Sequence, residues 1–448
     1  MITGQTESGL RYAVRKGGFS VGYCALSIRC GTRNEDGYHS GIAHFTEHTL
    51  FKGTAHKSAA VVNGYLDRLG GELNAFTTKE EIVLHATVLK EDLPKAAGLL
   101  FELATEATFP EKEIETEKGV VIDEIHSYKD CPADEVYDRF EEELYAGHAL
   151  GRPILGTPAS VRRITSDELR RFVHENFTPD RMAFTMMADI DEALMEKEVR
   201  RIAAKHLSPA SGSGIPLENV LLRRTPPKQT WVPPSYVAEG GTVFQGDTGT
   251  PAEETQKGSE PVETVHFDRT VDKRNHEVNA VIGGAAPSLY GGQDRIAAVL
   301  LANILGGPAS NSILNNVLRE RNGWVYGVEC GYTQYSDTGV MAISLGCDKD
   351  NLEKCFTAIS KAIRELQDKP FSERKLKAAK KQLLGQLAIS SESGEAQCLS
   401  MGKSLLAFGR VASSAENKAA IEAVTAADLQ ALARRIFSPD NLSRLIFL

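Results

Sequence analysis

The chain has 448 residues, 42% hydrophobic and 25% charged, which is ordinary for a soluble globular protein and long enough to favour two domains over one core. Its net charge of −9 argues against general nucleic-acid binding and mildly favours basic substrates. The longest apolar helix-like run, 296–305, is far short of a membrane span, and the N-terminus lacks a basic stretch followed by an apolar one, so the expectation is a cytoplasmic protein with no membrane partner.

In chain order, 9–14 and 23–31 read as alternating strands joined through a glycine turn. Next comes 41–51, whose core is His44-x-x-Glu47-His48. On an α-helix residues four apart share a face, so His44 and His48 can both offer ring nitrogens to one metal ion. Glu47 lies at the edge of that face, where it can polarise a water without taking a coordination position. A hydrolytic zinc site takes three protein ligands and leaves the fourth position to water, whose pKa falls to about 7. One ligand is therefore missing from this helix.

Further on, 61–69 reads as a helix stopped at Gly70-Gly71, and 82–88 as a strand in which His85 is a packed side chain rather than a ligand. A helix over 93–105 is broken at Phe109-Pro110. A second helix, over 111–125, carries two carboxylate candidates for the missing ligand, Glu117 and Glu124, two turns apart on one side. His126 faces elsewhere on that helix.

A repeat is visible across the chain. Phe109-Pro110-Glu111 compares with Phe371-Ser372-Glu373, and 164–180 with 424–440, where Leu169 and Leu429 each precede a Phe by eight residues. The expected organisation is two copies of one domain, 1–207 and 264–448, joined by a Pro-, Gly- and Ser-rich linker over 208–263. Aligning Gly53 with Gly306 sets Ala297, Leu300 and Leu301 opposite His44, Glu47 and His48. Gln386 falls opposite Glu124, so the second copy has no zinc site.

The His-x-x-Glu-His motif, with a glutamate 76 residues beyond His48, resembles the pitrilysin, insulin-degrading enzyme and mitochondrial processing peptidase family. The resemblance covers nearly the whole chain apart from the linker. It implies an α+β fold of two homologous halves, each an antiparallel-rich β-sheet with helices packed on one face, forming a clamshell chamber. It makes Glu124 the third ligand of one Zn²⁺ per chain and Glu117 the partner that orients a ligand histidine. The strand containing Asn74, Ala75 and Phe76 becomes an edge that pairs with substrate backbone.

In the second half the resemblance picks out Arg319 and Tyr326, seven residues apart, Tyr326 for the tetrahedral intermediate and Arg319 for a substrate carbonyl. The metal motif and the Arg/Tyr pair stand here in one chain, unlike the family's two-subunit members, which split them. The implied function is a zinc metalloendopeptidase acting on peptides and unfolded polypeptide segments, with Glu47 as general base. A homodimer is implied as well. The alternative is a non-catalytic or partner-dependent subunit of a peptidase-like complex.

Overall fold

The computed structural model describes residues 1–207 and 262–448. All but the last two residues of the expected linker, 208–263, lie outside the described residues. In the first half, β1 (Ile2–Gln5), β2 (Arg11–Lys16), β3 (Val21–Ile28), β4 (Glu72–Thr77), β5 (Ile82–Leu89) and β6 (Met182–Ala188) form one sheet in the order β1-β2-β6-β3-β5-β4. Only β2 and β6 run parallel. In the second half, β7 (Asp268–Val271), β8 (Val278–Ala286), β9 (Val325–Gln334), β10 (Gly339–Cys347) and β11 (Ser443–Phe447) take the order β7-β11-β8-β10-β9. Here the parallel pair is β7 with β11. Leaving out β1, the two sheets have the same strand order and the same senses, so β4 and β9 are matching edge strands.

The helices follow the repeat too. Leu93–Glu106, Glu111–Lys129 and Ser166–Asn176 of the first half have counterparts in Leu352–Asp368, Glu373–Ser390 and Ala426–Ile436 of the second. The last member of each series starts with a threonine whose hydroxyl accepts from a backbone N–H three residues on, Thr165 from Glu168 and Thr425 from Asp428.

Each sheet packs its own helices on one face, around two separate apolar cores. The opposite face of each is covered by a helix from the other half. Gly394–Phe408 lies on β2, β3 and β6, where Met401, Leu405 and Leu406 meet Ala13, Ala183 and Met187. Pro132–Leu144 lies on β8 and β11, where Val136, Phe140 and Leu144 meet Val281, Leu445 and Phe447. This exchange explains why β6 is buried along its whole length and shows no alternation of apolar and polar residues. The edge strand β4, with one neighbour, keeps the alternating pattern of a half-exposed strand. Among the described residues no helix is long and apolar enough to cross a membrane.

Candidate metal centre

The motif helix is Ile42–Leu50. It starts at Gly41, whose φ of +89° and close approach to Leu155 O, 2.8 Å from where a Cβ would stand, leave room only for glycine. The buried carboxylate of Glu35 accepts from Gly41 N at 3.0 Å and Ala43 N at 3.1 Å, satisfying first-turn donors that have no partner within the helix. Burial pushes Glu35 up to about 7, against the pull of those N–H groups.

His44 and His48 lie one turn apart with ring centroids 4.7 Å from each other. The helix Glu111–Lys129 packs against the motif helix and brings in Glu124. His48 Nε2 is 3.3 Å from Glu124 Oε2, and His44 Nε2 is 3.7 Å from Glu124 Oε1. Each of the three residues offers one ligand atom within 4.8 Å of the other two, the one such His/Cys/Asp/Glu cluster among the described residues. Tetrahedral zinc with ligands at 2.0–2.2 Å separates neighbouring donors by about 3.4 Å. Glu124 Oε2 is buried and, apart from His48 Nε2 across the cluster, has no polar partner among the described residues, as the donor set of a cation site would be arranged. The residues therefore fit a zinc ion.

Glu117 orients one of them. His48 Nδ1 donates to Glu117 Oε1 at 2.9 Å, which leaves Nε2 facing Glu124. Lys52 Nζ lies 2.6 Å from Glu117 Oε2. Although burial opposes ionisation of Glu117, its bonds to His48 and Lys52 hold its carboxyl below the usual range. Burial likewise works against charge on His48, but Glu117, Glu124 and Glu47 outweigh it and push His48 up to about 9. His44 goes the other way, down to about 4, because it is buried and faces the charge of His48. The bond to His48 keeps Glu124 low.

Glu47 sits beside the cluster, and Thr77 Oγ1 donates to its Oε2 at 2.6 Å. Burial raises its pKa, which Thr77 partly offsets, so the carboxylate is more basic than a solvated one. Thr77 ends β4, and the motif helix packs on that strand. Asn74, Ala75 and Phe76 occupy the same edge, paired on one side only, with His85, Leu84 and Val83 of β5. His85 is an inward-facing side chain 3.0 Å from Glu395 and no part of the cluster.

Arg319 and Tyr326 are elsewhere in the chain. Arg319, in a π-helical turn over Asn315–Arg321, pairs with Glu320 at 3.0 Å. Tyr326 stands on β9, 64% exposed, and donates to Asp348 Oδ1 at 2.8 Å. No hydrogen bond or ion pair among the described residues joins either to His44, Glu47, His48 or Glu124. Sequence reasoning had missed three supporting groups: Thr77, Lys52 and Glu35. Lys52, four residues after His48, was open to the same helical spacing that linked the histidines; Thr77 was one step along a strand already singled out. Glu35 carried no local signal.

Comparison with known proteins adds the family. Residues 17–158 match the profile described as Insulinase (Peptidase family M16), and residues 163–383 match Peptidase M16 inactive domain. An uncharacterized zinc protease of Bacillus subtilis is 30% identical over 420 residues, covering 94% of this chain and 91% of that protein. The chain belongs to peptidase family M16. Another uncharacterized zinc protease of this kind, from Streptomyces coelicolor, is 27% identical over 91% of this chain and 80% of its own length. The fold is that of a Helicobacter pylori protease crystal structure, with a TM-score of 0.80 at 18% identity over 100% of this chain and 98% of that one. A Pseudomonas fluorescens structure of a peptidase M16 inactive domain gives 0.79 at 17% identity, over 100% and 97%. The M16 profile for an inactive domain falls largely on the half whose helix carries Ala297, Leu300 and Leu301 in place of the motif.

Proposed function

We propose that this M16 member is a zinc metalloendopeptidase for peptides and unfolded polypeptide segments, with one zinc per chain held by His44, His48 and Glu124. The observation that carries the reading is the convergence of those three donors with an ionisable Glu47 beside a free sheet edge. When bound there, zinc supplies a Lewis acid that lets water lose a proton near neutrality. Glu47 receives that proton and passes it to the leaving amine, a double role suited to a carboxylate whose pKa burial has raised. Glu117 and Lys52 hold His48 in the orientation that presents Nε2.

The edge of β4 supports the substrate side. Its unpaired backbone groups around Asn74, Ala75 and Phe76 can bind an extended peptide as an added strand, which selects for unfolded chains. Tyr326 and Arg319 are assigned to the carbonyl oxygen as it gains charge. Both point to solvent in this chain without contact to the metal cluster, which supports a homodimer in which the second half of one copy faces the first half of the other and the two enclose the chamber. The test is mass-spectrometric cleavage of an unstructured peptide with and without a zinc chelator. Internal cuts that stop with chelator and return with zinc support the reading; no cutting by zinc-loaded protein would sink it.

A further inference from the structure

A hollow of about 490 Å³ opens in the second half beside the helix Pro132–Leu144, and Arg319 is among its lining. Its floor is glycine. Gly346 of β10 stands opposite Gly327 of β9, so neither strand puts a side chain there. A Cβ on Gly346 would lie 2.0 Å from Glu277 Oε1, which places that carboxylate directly over the floor. Glu329 pairs with Ser344, two residues from Gly346 along β10, and so projects from the same face of the sheet. Ala133 and Val136 of the first half form an apolar wall.

Two features point to a cationic guest. Neither Glu277 nor Glu329 has an ion-pair partner among the described residues, while Arg319, the cation in the lining, is engaged by Glu320. Asn279 is only 6% exposed, lines the hollow and has no side-chain hydrogen bond among the described residues. Its Oδ1 would lie 3.5 Å from a Cβ on Gly346, beside Glu277. Its amide therefore opens into the hollow, where a donor from a guest can replace water.

We propose that this hollow is a specificity subsite that takes a lysine or arginine side chain of the substrate. The methylene stem lies on the glycine floor against Ala133 and Val136, and the cationic head reaches Glu277, Glu329 and Asn279 Oδ1. The assignment rests on the peptidase reading for its substrate, a peptide, and extends it by naming a preferred side chain.

The test is a binding measurement that needs no turnover. A neutral, N-acetylated fluorescent peptide, carrying one lysine at each position in turn or norleucine in its place, is titrated by anisotropy against zinc-loaded Glu47→Gln protein. At one position the lysine peptide should bind about tenfold tighter than its norleucine twin. Adding Glu277→Gln and Glu329→Gln should erase the difference, and Glu277→Lys with Glu329→Lys should make a glutamate peptide the better ligand. If a double variant melts early, the two single glutamine variants are compared instead. Equal binding of lysine and norleucine peptides at every position, or a preference that survives these changes, would overturn the subsite. Wild-type cleavage of the norleucine peptides checks the peptidase separately: a lysine preference in binding without any cleavage would keep the subsite and remove the peptidase.

Discussion

The two halves share a sheet and differ in what their matching helices bury. In the first, Ile42–Leu50 carries two histidines and a glutamate, held by Glu35, Lys52, Thr77, Glu117 and Glu124 from the chain around them. In the second, the matching positions are Ala297, Leu300 and Leu301, each 1% exposed or less. Opposite Glu124, Gln386 accepts a neutral bond from Asn303 at 2.6 Å. Burying charge costs several kcal/mol per group unless each is paired, whereas a buried leucine contributes about 1.5–3 kcal/mol. The second half shows that this sheet and its helices fold without the polar cluster, so the fold itself does not require it.

The sharpest way to break that contrast is to truncate the matching residues. His48→Ala should empty the site and lower peptide cleavage by more than about a thousandfold. Leu301→Ala should instead cost about 2–5 kcal/mol in chemical denaturation and leave zinc content per folded chain unchanged. Metal analysis on both proteins separates the two; zinc lost from Leu301→Ala would mean that the halves are not independent in this respect.

Tyr326→Phe should lower kcat by about a hundredfold with zinc retained. Mixed with Glu47→Gln protein it should regain activity, since a Glu47-bearing centre would then meet an intact Tyr326 from the other copy. A mixture that stays inactive would argue that each chain uses its own tyrosine. A smaller effect is expected one step out from the ligands, where Glu117→Gln should weaken zinc binding about 10- to 100-fold, read by competition with a fluorescent chelator.

The gentlest probe is pH. With His48 at about 9 in the metal-free protein, the ring is protonated at pH 7 and must lose that proton to bind zinc. Affinity should therefore rise about tenfold per unit from pH 7 to 9 and level off above. Calorimetry in buffers of different ionisation enthalpy should show close to one proton released at pH 7.5; none released would contradict the charge placed on His48.

Much of the site could be read from the chain because its parts are local. Helical spacing alone joined His44 to His48 and Glu117 to Glu124, and the repeat was visible at Thr165 and Thr425, which both turned out to cap helices. What escaped depends on distant chain. Met182–Ala188 gave no strand alternation because a helix from the other half covers its second face. The covering helices had an apolar stripe but no indication of which sheet it would meet. Glu35 carried no signal of its own in the sequence, and the fold closes over it to 3% exposure. The spacing of Arg319 and Tyr326 likewise said nothing of their place relative to the metal ligands, which the packing of the two halves decides.

The most direct measurement of the central claim compares wild-type and Glu47→Gln proteins, matched for zinc content, on one unstructured peptide. The account predicts equal zinc, equal melting behaviour and cleavage reduced by more than about a thousandfold in the variant. Comparable cleavage by zinc-loaded Glu47→Gln would contradict it, because Glu117 and Glu124 are engaged with His48 and Glu35 with the N–H groups of Gly41 and Ala43.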